Sequence, residues 1–380
     1  MTAPNFAHLE PLSNFLAMEV FSRANELEAE GREVIHLEFG EPDFQAPAVA
    51  LEALQQSLAA HPAGYTVTQG TLALREAICR KYQRDYGVVV RPERVLVSGG
   101  SSVLLFLAIR LLAPPGSEVL ITDPGYACYD NLVHLAEVTP VRVPLRHEDG
   151  FQLDPDAVRQ AITSRTRALL LNSPTNPTGV VFRPEILREL TTLGIPVISD
   201  EIYADLSYGS RPQSILEFTE EAIALNGFSK YYAMTGWRLG YLIAPDSWMP
   251  GLVKMHQNLM ISTTHFVQDA GVRVLDEGGA DCERMKVEFD RRRQFLLEKF
   301  RALGLDPGYD PTGAFYVFLK YRNPKKSLEL ALEILEKTGV ALTPGVDFGQ
   351  GGEGFLRFSY ANSAENLGIA VDRLVESGLL

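Results

Sequence analysis

Lys230 is the residue whose surroundings most clearly predict chemistry. It lies in the segment NGFSKYYAMTGWRLGY, where most of its neighbours are aromatic or apolar. Such surroundings disfavour the charged form, so the lysine has a lowered pKa and can act as a nucleophilic amine in Schiff-base chemistry. The commoner alternative is a surface lysine that keeps its amine in solvent. Arg238, further along the segment, carries a guanidinium that can bind a phosphate or carboxylate through two parallel hydrogen bonds.

The segment SGGSS, residues 98–102, predicts an anion site. An apolar run precedes it and a helical pattern follows. Glycine permits close backbone approach, and the free N–H groups and dipole of a helix start favour an anion. Gly100, Ser101 and Ser102 are therefore candidates for binding a phosphate, with a glycine turn and a serine cap as the structural alternative.

Three further polar residues lie in or after apolar runs. Asp200 follows the run PVIS and could bind a metal, act as a base, hold a cation or cap a helix. Its only acidic neighbour, Glu201, should point to the other face, so we expect no metal. Asn176, in NPTG, belongs to a potential substrate loop or a plain turn. Arg357, in FLRFSYA, needs either a structural carboxylate or a substrate carboxylate as its partner.

The elements that position these residues alternate between apolar strands and amphipathic helices. Continuous apolar runs suit strands buried on both faces of a mostly parallel sheet, so the pattern predicts an α/β sheet between helices. In such sheets, ligands bind beyond the carboxyl ends of the strands, where the polar segments lie. The predicted strands are Val95–Ser98, Glu118–Thr122, Val138–Pro144, Arg167–Asn172, Pro196–Ser199, Ala222–Asn226 and Gly240–Ala244; the helices among them are Ser102–Leu112, Pro155–Ile162 and Pro184–Leu193.

The C-terminal part predicts a second, smaller α+β domain. A long amphipathic helix at Asp281–Leu303 is followed by the strand AFYVFLK, a helix at Leu328–Lys337, the strand FLRFSYA and a last helix. An N-terminal helix at about Leu12–Glu30 should pack with this unit. We therefore predict a large domain at 45–280 and a small domain formed by 1–44 and 281–380, closely joined.

Composition excludes some partners. A net charge of -13 and a pI near 5.1 argue against nucleic acid and anionic membrane surfaces, because both repel an acidic protein. The three cysteines have no metal-ligand spacing and predict reduced thiols in a cytoplasmic protein. The start, MTAPNFAHLEPLSNF, has no basic residue, so we expect no targeting peptide, and no apolar stretch is long enough to cross a membrane.

Together these motifs carry a family resemblance. SPTNPTG, SDEIY, FSKYYAMTGWRLG and FLRFSYA, in that order, resemble the class I/II aminotransferases of the fold-type-I pyridoxal-phosphate enzymes. The similarity extends from LEFGEPDF to the last helix and is greatest to the bacterial aspartate aminotransferase-like subgroup. It implies a mostly parallel seven-stranded sheet, pyridoxal 5'-phosphate, a homodimer, and ping-pong transfer of an amino group from an L-amino acid to a 2-oxo acid.

The resemblance also implies residue roles. Lys230 matches the lysine that binds the cofactor covalently and later moves a proton. Asp200 matches the carboxylate that pairs with the pyridinium nitrogen, which makes the ring an electron sink. Tyr203 and Asn176 match the groups that donate hydrogen bonds to the ring's phenolate oxygen.

The remaining roles concern the ring face, the phosphate and the substrate. Tyr126 matches an aromatic side chain that stacks on the ring, and Tyr65 a tyrosine that reaches the phosphate of the neighbouring subunit. Arg357 matches the arginine that binds the substrate's α-carboxylate, next to Gly40 and Asn176. The phosphate group matches Gly100, Ser101, Ser102 and Arg238.

Two departures from the family pattern affect these expectations. Many relatives have a phosphate-binding serine where this chain has Gly227, and Ser229 is the candidate replacement. Some aspartate-using relatives have a lysine for the substrate's distal carboxylate where this chain has Ser101. Ser101 therefore does not predict a preference for aspartate, and aspartate, alanine, glutamate and aromatic donors all stay open.

The same residues leave other functions open. A β-eliminating C–S lyase or a decarboxylase could use the same cofactor site, because the bond held perpendicular to the ring decides the reaction. A non-catalytic ligand-sensing regulator is a more remote alternative. The joint presence of Lys230 and Asp200 argues against it, since a protein that only binds a ligand needs no electron sink.

Overall fold

The computed structural model describes residues 6–60 and 64–380. Residues 1–5, part of the predicted segment 1–44, and residues 61–63, part of the predicted segment 45–280, lie outside it. The strands in the described part are β1 (Ile35–His36), β2 (Val95–Ser98), β3 (Glu118–Asp123), β4 (Thr139–Pro144), β5 (Thr166–Asn172), β6 (Val197–Asp200), β7 (Ala222–Gly227), β8 (Gly240–Ile243), β9 (Tyr316–Lys320), β10 (Val340–Ala341), β11 (Thr343–Pro344) and β12 (Phe355–Ser359). The α-helices are α1 (Leu16–Ala29), α2 (Ala48–Ala60), α3 (Leu72–Tyr86), α4 (Ser101–Leu112), α5 (Cys128–Leu135), α6 (Pro155–Ala161), α7 (Pro184–Leu190), α8 (Met249–Met260), α9 (His265–Glu277), α10 (Gly279–Ala302), α11 (Ser327–Thr338) and α12 (Ala364–Ser377).

The centre of the fold is a seven-stranded, mostly parallel sheet, as the sequence predicts. Its strand order is β2-β8-β7-β6-β5-β3-β4, and β8 alone runs antiparallel to its neighbours. All seven predicted strands occur in it, with ends that differ by no more than one residue. In β5, Leu169 and Leu171 belong to the core on one face, whereas Ala168 and Leu170 belong to the core on the other. Both faces are therefore buried, which explains the continuous apolar runs.

A smaller α+β region packs against the sheet region. Strands β11, β12 and β9 form an antiparallel sheet, and β1 pairs in parallel with β10, so the N-terminal segment is joined to the C-terminal one. Its hydrophobic core draws on α1, α10, α11 and α12 and includes Tyr203 and Leu206 of the sheet region. Because this core includes residues from both sides of 280/281, the division at 44/45 and 280/281 stays a prediction.

Several helix boundaries differ from the sequence-based prediction. The N-terminal helix begins at Leu16 rather than Leu12, because the Asp347 carboxylate accepts hydrogen bonds from the backbone N–H groups of Leu16 and Ala17 and fixes the helix start there. Helix α4 begins at Ser101 rather than Ser102, and α7 ends at Leu190 rather than Leu193.

The strand register collects the chemically important residues at one edge of the sheet. Asn172 at the end of β5 lies beside Asp200 at the end of β6. Ser98 of β2 and Gly227 of β7 both lie opposite Gly240 of β8. The loops that leave these positions therefore meet over a common cavity.

Candidate active site

The predicted site residues meet in one cavity between the carboxyl edge of the sheet, the start of α1 and the small α+β region. Tyr65 is the exception: its side chain is 85% exposed and does not reach this cavity within the described chain. Gly100 lies directly before the lining segment. The predicted residues that line the cavity are Gly40, Ser101, Ser102, Tyr126, Asn176, Asp200, Tyr203, Ser229, Lys230, Arg238 and Arg357.

Lys230 projects its amine into the cavity from the loop after β7. Its Nζ donates a hydrogen bond of 2.5 Å to the backbone carbonyl of Gly40 and lies 5.8 Å from the centre of the Tyr203 ring. Burial lowers the pKa of Lys230 to about 8; the negative charges of Glu41 and Asp200 oppose this change, and the positive charges of Arg357 and Arg238 reinforce it. A substantial fraction of the amine is therefore neutral and nucleophilic near physiological pH.

Asp200 is buried at the end of β6. Tyr129 Oη donates to one carboxylate oxygen at 2.9 Å, and the backbone N–H of Ile202 donates to the other at 3.2 Å. Burial raises the pKa of Asp200 to about 6, although these two hydrogen bonds oppose the rise. A buried carboxylate of this kind is stabilised by a cation placed next to it.

Other roles for Asp200 find less support. Glu201 points away, as predicted: its Oε1 accepts a hydrogen bond of 2.7 Å from the backbone N–H of Ile215. Within residues 6–60 and 64–380, no three His, Cys, Asp or Glu side chains are grouped to hold a metal ion. Among the uses that the sequence leaves open for Asp200, holding an organic cation fits these contacts best.

Arg357 donates hydrogen bonds to uncharged acceptors. Its Nη1 donates to Asn176 Oδ1 at 2.9 Å, and its Nη2 donates to Thr343 Oγ1 at 3.0 Å and to the backbone carbonyl of Glu38. Its buried Nε has no partner in the described residues. Because none of these acceptors is a carboxylate, the guanidinium retains the capacity to bind an anion that enters the cavity.

The start of α4 and Arg238 form a second place for an anion. Gly100 has a φ of 100°, and a Cβ added to it would lie 2.6 Å from Arg238 Nη2. A Cβ added to Gly240 would lie 2.7 Å from the backbone N of Ser101. The two glycines thus let the guanidinium and the strand approach the helix N-terminus, where free N–H groups and the helix dipole add to the positive charge.

Glycine at position 227, where many relatives have serine, has a steric explanation. A Cβ on Gly227 would lie 3.0 Å from the carbonyl oxygen of Leu239 and 3.2 Å from the Ile202 side chain. The expected serine would therefore require its neighbours to move. Ser229 lines the cavity, as the sequence suggested, and its hydroxyl is the local replacement candidate.

Three residues that contact the predicted site residues were not predicted from the sequence. Tyr129 contacts Asp200, and Tyr316 lines the cavity between Tyr203 and Arg357. Asn172 donates to the backbone carbonyl of Asp200 at 2.8 Å and accepts from the backbone N–H of Asn176 at 2.8 Å, so it ties two site segments together. The tyrosines lack a local signal, whereas Asn172 at the end of an apolar strand offered one.

Comparison with known proteins identifies the family. The model for aminotransferase class I and II matches residues 32–374. The chain belongs to this family. It is similar to the (5-formylfuran-3-yl)methyl phosphate transaminase of Methanocaldococcus jannaschii, with 38% identity over 96% of each chain. It is 36% identical to the aspartate aminotransferase of Pyrococcus horikoshii over 94% of this chain and 92% of that protein. The structure of Thermus thermophilus aspartate aminotransferase with maleate matches all of both chains at 34% identity, with a TM-score of 0.93.

The chain is therefore an aminotransferase that depends on pyridoxal 5'-phosphate. Its side chains fit that cofactor: Lys230 offers an amine of lowered pKa for the aldehyde, and Asp200 a buried carboxylate for the pyridinium. The space that a Cβ on Gly100 would fill, next to Arg238, suits the phosphate. When bound, the cofactor supplies an electron sink for the substrate's Cα.

Proposed function

We propose that this enzyme moves an amino group from an L-amino acid to a 2-oxo acid by a ping-pong mechanism. The observation that carries the proposal is one cavity that holds the Lys230 amine, the buried Asp200 carboxylate and an Arg357 guanidinium with spare donors. The relatives described above are transaminases by name. No contact in the described part of the chain favours β-elimination or decarboxylation instead.

Each of these side chains has a different role in the proposed reaction. Arg357 binds the substrate's α-carboxylate, with Asn176 and Gly40 beside it, and so orients the Cα–H bond. Lys230 would accept the proton from Cα and return it to C4′ of the cofactor, which is joined to Cα through the amino nitrogen, because a pKa near 8 lets its amine act as both base and acid. Asp200 keeps a proton on the ring nitrogen.

The other residues hold the cofactor in place. Tyr203 and Asn176 would donate hydrogen bonds to its phenolate oxygen, and Tyr126 would pack against the ring. The phosphate would be bound by Arg238 and by the start of α4, which includes Gly100, Ser101 and Ser102, with Ser229 nearby.

We propose that the donor has no acidic side chain. The basic residues that line the cavity in the described chain are Lys230, Arg238 and Arg357, and each has a role above. The wall beyond them includes Phe15 and Phe39, and Ser101 is neutral. A distal carboxylate would find no cationic partner from this chain, whereas an apolar or aromatic side chain would be desolvated against aromatic rings.

We propose that the enzyme is a homodimer in which Tyr65 serves the partner's site. Tyr65 and Val67 are 85% and 61% exposed, and Leu259 and Ile261 are 58% and 52% exposed. Two hydrogen bonds from Thr66, to Ser262 Oγ and to the carbonyl of Thr263, join these segments into one surface. Exposed apolar residues grouped in this way are typical of a subunit interface.

This surface adjoins the proposed phosphate site. Thr263 Oγ1 donates a hydrogen bond of 3.1 Å to the carbonyl of Val97, just before the SGGSS segment. A Cβ on Gly99 would lie 3.3 Å from the Met260 side chain. An interface here would therefore bring a partner's Tyr65 close to the helix start at Ser101.

We also propose a cytoplasmic location. Cys79, Cys128 and Cys282 are free thiols, which accords with a reducing compartment. Separately, no helix in residues 6–60 and 64–380 combines the length and apolar character needed to cross a bilayer. Recovery of the chain from a secreted fraction of its host would contradict the proposal.

A donor screen by half-reaction tests the proposed function. Purified holoenzyme is mixed with single amino acids, and the visible absorption band of the lysine-bound cofactor is followed. Bleaching by apolar or aromatic amino acids, reversed by 2-oxoglutarate, is the expected result. Bleaching by aspartate alone would overturn the donor proposal, and release of pyruvate and ammonia from cystathionine without bleaching would overturn the transaminase proposal.

A further inference from the structure

Tyr316 lies between the group proposed to bind the substrate and the group proposed to bind the cofactor. It is fully buried in β9, yet it lines the cavity. Its hydroxyl is 2.8 Å from the hydroxyl of Tyr203, and the Arg357 guanidinium carbon lies 4.5 Å from the centre of its ring. A Cβ on Gly40 would be 2.2 Å from the same hydroxyl, so the Gly40 backbone lies in close contact with Tyr316.

The direction of the hydrogen bond between the tyrosines follows from proton counting. Each hydroxyl has a single proton. In the proposed function, the proton of Tyr203 is donated to the cofactor's phenolate oxygen. Tyr316 must then donate to Tyr203, and a hydrogen bond donated to the Tyr203 oxygen makes Tyr203 a stronger donor in turn.

Arg357 acts on the same chain of hydrogen bonds. A guanidinium over an aromatic face interacts favourably with the ring and draws electron density from it. Burial raises the pKa of Tyr316, and the charge of Arg357 opposes that rise. The Tyr316 hydroxyl is therefore a better donor while Arg357 lacks an anion than after a carboxylate has neutralised it.

We propose that Tyr316 is a positioning residue that couples the carboxylate site to the cofactor site: its ring supports Arg357, and its hydroxyl donates to Tyr203. The inference rests on the proposed function. Its consequence is that a bound substrate carboxylate weakens the Tyr203 hydrogen bond to the phenolate oxygen. The pKa of the lysine–cofactor linkage then rises when substrate arrives, which favours the protonated, more electrophilic linkage.

The variant Tyr316→Phe tests the inference by spectroscopy. It removes the hydroxyl and keeps the ring under Arg357. Titration of the visible band of the holoenzyme should show a linkage pKa about one unit above wild type, since one hydrogen bond has been lost from the network. Saturating 3-phenylpropionate or maleate, whichever binds, should raise this pKa less in the variant than in wild type.

Tyr360→Phe is the matched control. Tyr360 is also fully buried, and its hydroxyl donates a hydrogen bond of 3.2 Å to the carbonyl of Ala314, outside the cavity lining. This control should keep the wild-type titration. An equal pKa rise in both variants would assign the effect to general loosening and would overturn the inference, as would a wild-type titration in Tyr316→Phe.

A double variant tests whether Tyr316 acts through Tyr203. Adding Tyr316→Phe to Tyr203→Phe should leave the linkage pKa at the value of Tyr203→Phe alone. Full addition of the two shifts would overturn the proposed route. A wild-type holoprotein without a visible band would instead reject the proposed function itself, so the two failures are distinguishable.

Discussion

Lys230 and Asp200 show how burial prepares single residues for chemistry. Burial disfavours charge on both: it lowers the pKa of Lys230 to about 8 and raises that of Asp200 to about 6. The first change provides a neutral amine. The second is reversed when a pyridinium lies beside the carboxylate, because an adjacent cation favours the ionised form.

The lowered pKa of Lys230 predicts how capture of the cofactor depends on pH. Only the neutral amine attacks the aldehyde, so the rate constant for pyridoxal phosphate binding to the apoenzyme should rise with pH and level off above about 8. Stopped-flow absorbance measures this rate. A rate that keeps rising to about pH 10.5, the range of an ordinary lysine, would contradict the prediction. Lys230→Ala should form no covalent linkage.

Tyr129→Phe should weaken cofactor binding. The substitution removes a hydrogen bond of 2.9 Å to the Asp200 carboxylate and so raises the pKa of that group further. A hydrogen bond to a charged group contributes about 1.5–3 kcal/mol, so the Kd for pyridoxal phosphate should rise about ten- to a hundredfold. Equilibrium titration of the apoenzyme measures the Kd.

The control for this prediction is Tyr86→Phe. Tyr86 is also buried, and its hydroxyl lies 3.4 Å from a carboxylate oxygen of Asp205, away from the cavity lining. Its loss should leave the Kd unchanged. If both variants weaken cofactor binding equally, the contact with Asp200 is not the cause.

At the scale of elements, secondary structure is predicted best where the hydrophobic pattern of a segment matches its burial in the fold. The seven central strands are recognisable because both of their faces are buried, which makes each an apolar run. Helices α2, α3, α5, α8 and α9 were not predicted from the sequence, and two of them, α8 and α9, contain residues with low helix propensity. Pro250 and Gly251 stand near the start of α8, and Gly271 of α9 leaves only 2.7 Å between an added Cβ and the Leu239 side chain.

The active-site residues could likewise be predicted only where their position in the sequence pattern indicated their place in the fold. Residues in the segments that follow predicted strands, such as Asp200, Asn176 and Lys230, could be found because the carboxyl edge of a parallel sheet is a known ligand position. Tyr316 could not. It lies in an apolar strand of the small region, and the Tyr203 hydroxyl that it contacts is remote in sequence. Only the folded chain reveals such a contact.

The start of helix α1 gives a prediction at the element scale. Asp347 accepts hydrogen bonds from the backbone N–H groups of Leu16 and Ala17, at 2.8 and 3.2 Å, while Phe15 and Ala17 line the cavity. Asp347→Ala should lower the free energy of unfolding by about 0.5–2 kcal/mol, as expected for a lost cap, and raise the donor KM. Urea unfolding and steady-state kinetics measure the two effects.

Ser363→Ala separates these two effects. Ser363 caps α12, accepting a hydrogen bond of 3.1 Å from the backbone N–H of Asn366. Its loss should destabilise the protein by a similar amount and leave KM unchanged. An unchanged KM in Asp347→Ala would show that the helix start does not shape the substrate site.

At the scale of the whole molecule, the position of Tyr65 bears on whether one chain forms a complete active site. Among the described residues of a single chain, Tyr65 is 85% exposed, and Val67, Leu259 and Ile261, which share its surface, are each more than half exposed. The same surface adjoins the helix start at Ser101 through Met260 and Gly99. A two-fold dimer would bury the patch once on each protomer and complete two sites together.

Subunit mixing tests this arrangement directly. Lys230→Ala and Tyr65→Ala should each lack or lose most activity. When the two are unfolded, mixed in equal amounts and refolded, half of the dimers should be mixed, and each mixed dimer has one site with both Lys230 and the partner's Tyr65 intact. Activity should therefore return to about a quarter of the wild-type value. Refolding each variant alone is the control. If the mixture stays at the average of the two variants, or if a monomeric fraction shows full activity, Tyr65 acts within its own chain or not at all.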